Sequence, residues 1–380
     1  MNLLERILRP HIFNLKRLRD EDADRMNFLR LDKNERLLPF PDDLITQFKE
    51  RITFDSLSAY YDLAPLYSKL SKSLGVKKEQ IHIAAGSDLA IKSIFEACAV
   101  PNDNIILHAP SYGMYRIYAK MFGLHEQIVP VKNDWIVNLD GMLKQVNERT
   151  KLVAIENPNG FVGTKPSISD ITQFASELYN RKTILLLDEA YNYVENTECV
   201  NRDLVQKYPN VIISQSFSKA HGLAGLRVGY LVGEAKLVQH ISRVRPMHEI
   251  SSIAAIAADC LLDKPNLIKD YQMSIAESKK YLFKNLDYLQ VPCRNTHANF
   301  ILLYMPNKGR TFNITQRLYK RGILIRRPFE EKVLEGWVRV CVGDKNDSKQ
   351  FMEALDLELT SPEAAFEKPK ELKGYVNLRG

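Results

Sequence analysis

The chain has 380 residues, enough for about two domains of roughly 150 residues each. Hydrophobic residues make up 45% of it and charged residues 26%, which is typical of a packed globular protein and excludes a disordered chain, a collagen and a small disulfide-rich scaffold. The net charge of +7 comes from 53 basic and 46 acidic residues that are scattered among one another, so no nucleic-acid partner is predicted. The sequence has no run of 18 apolar residues, and we predict no membrane span.

The cysteines and the first 20 residues bear on the compartment. The five cysteines lie far apart and form neither a CxxC nor a CxxH spacing, so we expect free thiols in a reducing compartment and no metal site. Residues 1–20 are basic and partly amphipathic, as targeting segments can be. They lack an unbroken apolar region and a small-residue cleavage site, and they contain Glu5, Pro10 and Asp20. We therefore expect an N-terminal arm and a cytoplasmic protein.

Short apolar runs alternate with helix-period segments from about residue 80 to residue 232. This alternation predicts a parallel sheet with crossover helices. The predicted strands are 81–85, 104–108, 126–131, 151–156, 183–188, 211–216 and 228–232. The predicted helices between them include 87–98, 112–122, 167–179 and 201–207.

The pattern changes after residue 250 to that of a smaller α+β unit. The predicted helices there are 251–262, 266–289, 311–321 and 346–359, and the predicted strands are 298–305, 322–327 and 336–342. We predict an N-terminal arm with part of the small domain (1–45), a large domain (46–250), a small domain (251–360) and a tail (361–380). Pro362, Pro369 and many charges indicate that the tail is loosely attached.

Polar residues follow two of the predicted strands at their carboxyl ends, where ligands of open α/β sheets collect. Gly86, Ser87 and Asp88 follow the first strand. A glycine there lets the backbone approach a ligand, and the start of the next helix is either a phosphate site or a plain helix cap. Asp188 ends an apolar strand, so burial of its carboxylate requires a cationic partner.

A lysine follows two serines after the next strand. Lys219 comes after Ser216 and Ser218, and Arg227 follows eight positions on. A lysine amine forms Schiff bases with carbonyl compounds, and an arginine binds phosphate through two parallel hydrogen bonds. The GxxxxGK[ST] pattern is absent, so a P-loop nucleotide site is not predicted.

The lysine segment is one of a series of sequence blocks. SKAHGLAGLRVGYLVG spans residues 218–233. The other blocks are LDKNE at 31–35, PSYGMY at 110–115, NPNG at 157–160, DEAY at 188–191, ANF at 298–300, GILIR at 322–326 and VRV at 338–340. In order and spacing, the series resembles fold-type-I pyridoxal-phosphate enzymes, and the histidinol-phosphate aminotransferase family in particular. The resemblance covers about residues 28–345 and implies an aspartate-aminotransferase-like α/β fold, in which a mostly parallel seven-stranded sheet in the large, cofactor-binding domain accompanies a small α+β domain.

The resemblance implies pyridoxal 5′-phosphate as the cofactor. Lys219 would form the Schiff base and then move the substrate proton, and Asp188 would pair with the pyridine nitrogen. Asn157 and Tyr191 would hydrogen-bond the phenolic oxygen, while Tyr112 would stack on the ring. The implied catalytic residues are Lys219, Asp188 and Tyr191. The implied cofactor-binding residues are Gly86, Ser87, Asp88, Tyr112, Asn157, Asp188, Tyr191, Ser216, Ser218, Lys219, Arg227 and Tyr60.

The resemblance also implies a substrate class and an assembly. Arg326 and Arg339 would bind the anionic end of the substrate, and Asn34 would line the same pocket. Tyr60 corresponds to a tyrosine that reaches the phosphate of the neighbouring subunit, which implies a homodimer with shared active sites. The expected function is that of an aminotransferase acting on a small phosphorylated or otherwise anionic amino compound.

Three departures from the family pattern leave the substrate open. The family reads NPNNPTGT where this chain has Gly160, Phe161 and Val162 in NPNGFVGT; Arg327 replaces a common acid, and Ala59 replaces an arginine. The alternative function is a decarboxylase of an O-phospho-amino acid. A cofactor-sensing DNA-binding regulator would need a further segment of about 60 residues, and an inactive binding protein would be expected to have lost one of the key residues.

Overall fold

The computed structural model describes residues 25–195, 201–305 and 308–360, together with residues 7, 9–13 and 15. Residues 1–6, 8, 14 and 16–24 of the predicted N-terminal arm and the whole predicted tail (361–380) lie outside the described residues. The predicted domain boundaries after residues 45, 250 and 360 stay predictions.

The strands form one large sheet and two small ones. In chain order they are β1 (Leu29–Leu31), β2 (Ile81–Ala84), β3 (Asn104–Ala109), β4 (His125–Pro130), β5 (Thr150–Glu156), β6 (Ile184–Asp188), β7 (Val211–Ser216), β8 (Gly229–Gly233), β9 (Cys293–Arg294), β10 (Phe300–Tyr304), β11 (Ile323–Ile325) and β12 (Trp337–Cys341). The large sheet has the order β2-β8-β7-β6-β5-β3-β4. Only β8 runs antiparallel to its neighbours in this sheet, so the expected mostly parallel seven-stranded sheet is confirmed.

Helices cover both faces of the large sheet and complete the small unit. The helices of the described residues are α1 (Pro10–Phe13), α2 (Asp42–Glu50), α3 (Phe54–Ser58), α4 (Ala64–Leu74), α5 (Gly86–Cys98), α6 (Gly113–Met121), α7 (Leu139–Gln145), α8 (Ile168–Asn180), α9 (Arg202–Lys207), α10 (Ala235–Ile241), α11 (Ser252–Leu262), α12 (Asn266–Tyr288), α13 (Lys308–Lys320) and α14 (Lys345–Thr360). None of these described helices is long and apolar enough to cross a membrane.

The central strands are apolar on both faces because each face is buried. On β6, Leu185 and Leu187 belong to one hydrophobic cluster and Leu186 belongs to another. Side chains alternate between the two faces of a strand, so these clusters are the two layers on either side of the sheet. This explains why the strand reads as a continuous apolar run that ends at Asp188.

The N-terminal segment pairs with a strand from the other end of the chain. β1 lies parallel to β11, with Leu29 opposite Ile323. β10 lies between β12 and β9 in a three-stranded antiparallel sheet. The segment that follows β1 therefore passes beside the residues that follow β11.

Close packing of β8 on the start of α5 requires a glycine. A Cβ added at Gly229 would lie 2.2 Å from the main-chain nitrogen of Ser87 and 2.5 Å from the carbonyl carbon of Gly86. Because both are main-chain atoms, a side chain at this position displaces the first turn of α5. This contact brings Arg227, two residues before β8, next to that turn.

We expect Gly229→Ala to lower the free energy of unfolding by about 3 kcal/mol, measured by urea denaturation, because overpacking here moves main chain. Gly225→Ala is the matched control, since a Cβ at Gly225 meets no described heavy atom within 4 Å. Its stability should stay within about 0.5 kcal/mol of the wild type. Equal losses in the two variants would contradict the close packing of β8 on α5.

Candidate active site

A cavity of about 430 Å³ opens at the carboxyl ends of the central strands and reaches the β11 and β12 region. Its lining residues are Asp32, Lys33, Ser87, Asp88, Tyr112, Gly113, Glu156, Pro158, Gly160, Phe161, Asp188, Ala190, Tyr191, Ser216, Ser218, Lys219, Arg227, Arg326 and Arg339. The structure thus brings together most of the predicted site residues, although they are up to about 250 positions apart in the chain.

One end of the cavity is built to bind an anion. Ser87 and Asp88 lie in the first turn of α5, where main-chain N–H groups have no partner within the helix. The side chain of Arg227 lies against Gly86, at which an added Cβ would be 2.6 Å from Arg227 Nη2. Gly86 has φ +83, a conformation that favours glycine. A helix N-terminus beside an arginine is suited to phosphate.

Two serines close the same end. Ser216 Oγ accepts a hydrogen bond from the main-chain nitrogen of Ser218 at 3.0 Å. Arg227 Nη1 lies 3.5 Å from Ser218 Oγ and donates to it. Ser216, Ser218 and Arg227 therefore form one connected wall of the anion site.

Asp188 supplies a buried carboxyl in the middle of the cavity. Its Oδ2 accepts a hydrogen bond from Tyr115 Oη at 2.7 Å, and its Oδ1 accepts one from the main-chain nitrogen of Ala190 at 3.2 Å. Burial raises the pKa of Asp188 to about 6. A cationic group bound against this carboxyl would hold it in its charged form.

Lys219 points toward the N-terminal segment and lies near Tyr191. Its Nζ donates to the carbonyl oxygen of Lys33 at 3.0 Å and lies 5.2 Å from the centre of the Tyr191 ring. The Tyr191 hydroxyl accepts a hydrogen bond from Asn34 Nδ2 at 3.0 Å. Asn34 is fully buried and reaches the site through Tyr191 without lining the cavity itself.

Two arginines lie at the opposite end from the anion site. Arg326 follows β11, Arg339 lies on β12, and the main-chain nitrogen of Arg326 donates to the carbonyl oxygen of Arg339 at 3.2 Å. The guanidinium of Arg339 donates to the carbonyl oxygens of Gly160 and Asp32. Its Nε is buried and has no hydrogen-bond partner among the described residues, so it is available to an acceptor on a ligand.

Asn157 does not line this cavity. Its Nδ2 donates to Glu189 Oε1 at 3.2 Å, and the residue lines a separate cavity with Glu189. The physical reason is alternation: Glu156 at the end of β5 faces the active-site cavity, so the next side chain faces away. The hydrogen bond that the resemblance implies for Asn157 stays a prediction.

Tyr60 and Gly86 also lie outside the cavity lining. Tyr60 is 85% exposed and stacks on His248 with ring centroids 4.1 Å apart. Tyr60 is not among the residues that line the cavity of its own chain. Gly86 contributes to the anion site because its lack of a side chain leaves room for Arg227.

Glu156 is a cavity residue that the sequence reasoning missed. Its signal is a carboxylate at the end of the apolar strand KLVAIE, the same pattern that drew attention to Asp188. Lys33, Gly160 and Phe161 also line the cavity. Lys33 lies in LDKNE, and Gly160 and Phe161 lie in NPNGFVGT, but the sequence does not show which way the chain turns there.

A family model described as aminotransferase class I and II matches residues 27–355. The chain belongs to this family. The cofactor of the family is pyridoxal 5′-phosphate, as expected, and the protein is an aminotransferase that depends on it.

Curated relatives and solved structures are similar to this chain in the same family and fold. Histidinol-phosphate aminotransferase 1 of Bacillus cereus is 31% identical over 308 residues, which are 79% of this chain and 82% of that protein. Histidinol-phosphate aminotransferase of Caldicellulosiruptor saccharolyticus is 29% identical, over 86% of this chain and 90% of that protein. A structure of histidinol-phosphate aminotransferase from Sinorhizobium meliloti in complex with pyridoxal-5′-phosphate matches with a TM-score of 0.84 and 23% identity, over 93% of this chain and 98% of that chain. A Thermus thermophilus aspartate aminotransferase double mutant matches with a TM-score of 0.77 and 17% identity, over 92% of this chain and 98% of that chain, which shows the aspartate-aminotransferase-like fold.

The residues of the cavity fit this cofactor. The α5 N-terminus with Arg227 suits its phosphate, and the buried Asp188 carboxyl suits its protonated ring nitrogen. Lys219 is within the same cavity and can reach a carbonyl group held between those two points. No arrangement of three or more His, Cys, Asp or Glu residues suited to a metal ion occurs in the described parts of the chain.

Glu189, behind the site, makes stability depend on pH. Burial raises the pKa of Glu189 to about 8 from 4.5, so the folded state keeps a proton that the unfolded state releases. This contribution is complete below about pH 4.5 and is lost as the pH rises to about 8.

Glutamine at this position cannot ionise. We therefore expect the stability of Glu189→Gln relative to the wild type to rise by more than about 1.4 kcal/mol between pH 5 and pH 8, measured by urea unfolding of the cofactor-free proteins. A difference that stays constant with pH would contradict the buried, protonated state of Glu189.

Proposed function

We propose that this aminotransferase transfers an amino group to or from a small amino compound that carries a phosphate or another anionic group. The observation that carries the proposal is the pair Arg326 and Arg339 at the end of the cavity opposite the anion site for the cofactor. A buried guanidinium with an unpartnered Nε favours an acceptor-rich, negatively charged ligand end. The names of the curated relatives, which act as histidinol-phosphate aminotransferases, support the same substrate class.

The chain's own residues divide the work. When bound, pyridoxal phosphate withdraws electrons from the substrate carbon. Lys219 Nζ holds the cofactor and then moves a proton at that carbon. Asp188 would supply a negative charge to the ring nitrogen, and the Tyr191 hydroxyl, which accepts a hydrogen bond from Asn34, would hold the ring edge near Lys219. Tyr112 lines the cavity beside Asp88 and offers its ring face.

The loop at residues 160–162 bears on the choice of substrate. Phe161 lines the cavity and its ring lies 5.8 Å from that of Phe329, which in turn lies under the Arg326 guanidinium at 5.9 Å. An apolar wall beside the arginines favours a substrate with an apolar or aromatic portion next to its anionic group.

The first test is a single-turnover spectrum of the holoenzyme with glutamate, histidinol phosphate and O-phosphoserine, with any carbon dioxide trapped. We expect at least one anionic donor to bleach the visible absorption of the bound cofactor without carbon dioxide release. Release of carbon dioxide with the absorption regained would show decarboxylation and overturn the proposal.

Two cavity lysines make a matched pair in this test. Borohydride should fix the cofactor on Lys219, as read from the mass of the labelled peptide, and Lys219→Ala should abolish both the fixation and turnover because it removes the reacting amine. Lys33→Ala should keep the fixation, because Lys33 is placed to line the cavity and contacts Lys219 through its main-chain oxygen. Fixation in the Lys219→Ala protein would contradict the assignment.

We also propose a homodimer with shared active sites. Four large side chains are strongly exposed: Phe54 (80%), Leu57 (64%), Tyr60 (85%) and Met247 (83%). Tyr60 is tied to the Met247 segment through its stack on His248. Such an apolar patch is typical of a protein interface, and a partner subunit docked there would bring Tyr60 toward that subunit's cofactor, as the family resemblance implies.

Mixing two inactive variants tests the sharing. If each site takes Tyr60 from the other subunit, subunit exchange between Tyr60→Ala and Lys219→Ala proteins restores about a quarter of the wild-type sites. Asp188→Ala mixed with Lys219→Ala is the control, since both residues line the cavity of one chain and no intact site forms. Sedimentation should give about twice 43.7 kDa. No recovery from the first mixture, with exchange verified by mass, would contradict the shared site.

A further inference from the structure

Glu156 is a buried carboxyl in the cavity that the roles above leave unused. It is 6% exposed and ends β5. Its Oε1 accepts a hydrogen bond from the main-chain nitrogen of Tyr112 at 2.5 Å, and its Oε2 accepts one from that of Gly160 at 2.7 Å. These two bonds fix the carboxyl group in one orientation, at the wall of the cavity.

The carboxyl group lies beside Tyr191, at the place where Gly160 has no side chain. A Cβ added at Gly160 would lie 3.0 Å from Glu156 Oε2, 3.1 Å from Tyr191 Cε2 and 3.5 Å from the Tyr191 hydroxyl. Glu156 Oε2 and the Tyr191 hydroxyl therefore flank one point. The resembled family has an asparagine at this position, and this chain leaves the same space to Glu156.

The neighbours of Glu156 favour its protonated form. Glu156 and Asp188 are paired residues on the adjacent parallel strands β5 and β6, so two carboxyls lie side by side in the interior. Burial and the nearby Asp188 raise the pKa of Glu156 to about 8. When a cationic ring nitrogen keeps Asp188 charged, the second carboxyl of the pair is the one that keeps its proton.

Other titratable groups face Glu156 from three more elements. His108 Nε2 on β3 lies 3.9 Å from Glu156 Oε1, and burial lowers the pKa of His108 to about 4, so the imidazole is neutral. Tyr115 on α6 is a neutral phenol whose pKa burial raises. The main-chain hydrogen bonds from Gly160 and Tyr112, and Arg339 on β12, work against protonation. Burial and Asp188 outweigh them.

We propose that Glu156 is a further cofactor-binding residue, whose protonated carboxyl group donates a hydrogen bond to the phenolic oxygen at the ring edge that it shares with Tyr191. Asp188 would hold the ring nitrogen, and Lys219 and Tyr191 would lie near the phenolic oxygen. Glu156 is paired with Asp188 and flanks one point together with Tyr191, so it would lie between them. Gly160 leaves room for the carboxyl group, because any side chain there meets Glu156 Oε2. This inference rests on the cofactor roles given under the proposed function.

The test is the pH titration of the visible absorption of the holoenzyme, which reports the proton on the lysine nitrogen bound to the cofactor. A donor to the phenolic oxygen stabilises negative charge there and weakens its hold on that proton. Glu156→Leu, which fills the volume without a donor, should raise the titration midpoint by about one pH unit and weaken cofactor binding about tenfold. Glu156→Gln is equal in size and can donate, although its amide nitrogen cannot accept from a main-chain nitrogen. It should raise the midpoint by about half a unit, less than Glu156→Leu does.

A second pair of variants separates this role from a merely structural one. Gly160→Asn alone should weaken cofactor binding, because its Cβ meets Glu156 Oε2. In Glu156→Ala with Gly160→Asn, the amide takes the vacated place beside Tyr191, and the midpoint should return at least halfway from that of Glu156→Ala to the wild-type value. A carboxyl that only holds the main chain of Tyr112 and Gly160 predicts no such rescue.

Two results overturn the inference. An unchanged midpoint in Glu156→Leu shows that the carboxyl does not act on the cofactor. A lowered midpoint shows that Glu156 is an anion in the holoenzyme, since loss of a nearby negative charge favours loss of the proton. These readouts are equilibrium properties of bound cofactor, so a failure of the proposed amino transfer is seen in the half-reaction with amino donors and not here.

Discussion

The burial of two adjacent carboxyl groups under the ends of β5 and β6 is the constraint on which the site depends. Glu156 and Asp188 are separated only by the spacing of neighbouring strands, in an interior where two negative charges are costly. Tyr115 and the main-chain nitrogens of Tyr112, Gly160 and Ala190 supply the hydrogen bonds that make the pair tolerable. The ladder of the sheet sets their spacing, and a cationic ligand completes the balance of charge.

The N-terminal segment joins the two parts of the site. β1 pairs with β11, and the residues after β1 then contact the large sheet: the carbonyl oxygen of Lys33 accepts from Lys219, and Asn34 holds Tyr191. Arg36, buried, donates to the carbonyl oxygen of Ala220 at 2.8 Å. The lysine loop is therefore held by the segment that follows β1, the strand that pairs with β11 just before Arg326.

The sequence was sufficient for the strands of the large sheet and for the residues that follow them. Lys219, Asp188 and Ser87 could be placed in one cavity because the carboxyl ends of parallel strands meet at one edge. Arg227 precedes β8, and only the family resemblance placed it with them. The direction of β8 could not be read from its apolar run, since both faces are buried and the alternation is lost.

Glu156 shows what the sequence does not encode. Neighbouring residues in an extended segment face opposite sides, so Glu156 lines the active-site cavity and Asn157 lines a separate one. Asn157 was favoured by its place in the NPNG block, whereas the burial of Glu156 and its contacts with Tyr112 and Gly160 depend on a loop path that no local pattern encodes. No local pattern encodes the contact of Arg339 with Asp32 either, because the two residues lie 307 positions apart in the chain.

That last contact has a consequence for the making of the protein. Arg339 Nη2 donates to the carbonyl oxygen of Asp32 at 3.3 Å, and Arg339 lies among the last described strands of the chain. Synthesis proceeds from the N-terminus at about 5–20 residues per second, so the segment around Lys33 and Asn34 is made well before the strands that hold it. On the ribosome, all strands of the large sheet have been made by residue 233. The segment after β1 that contacts Lys219 is held in place only when β11 and β12 have also been made. The cofactor site is thus a late product of synthesis, closed only when the two ends of the chain meet.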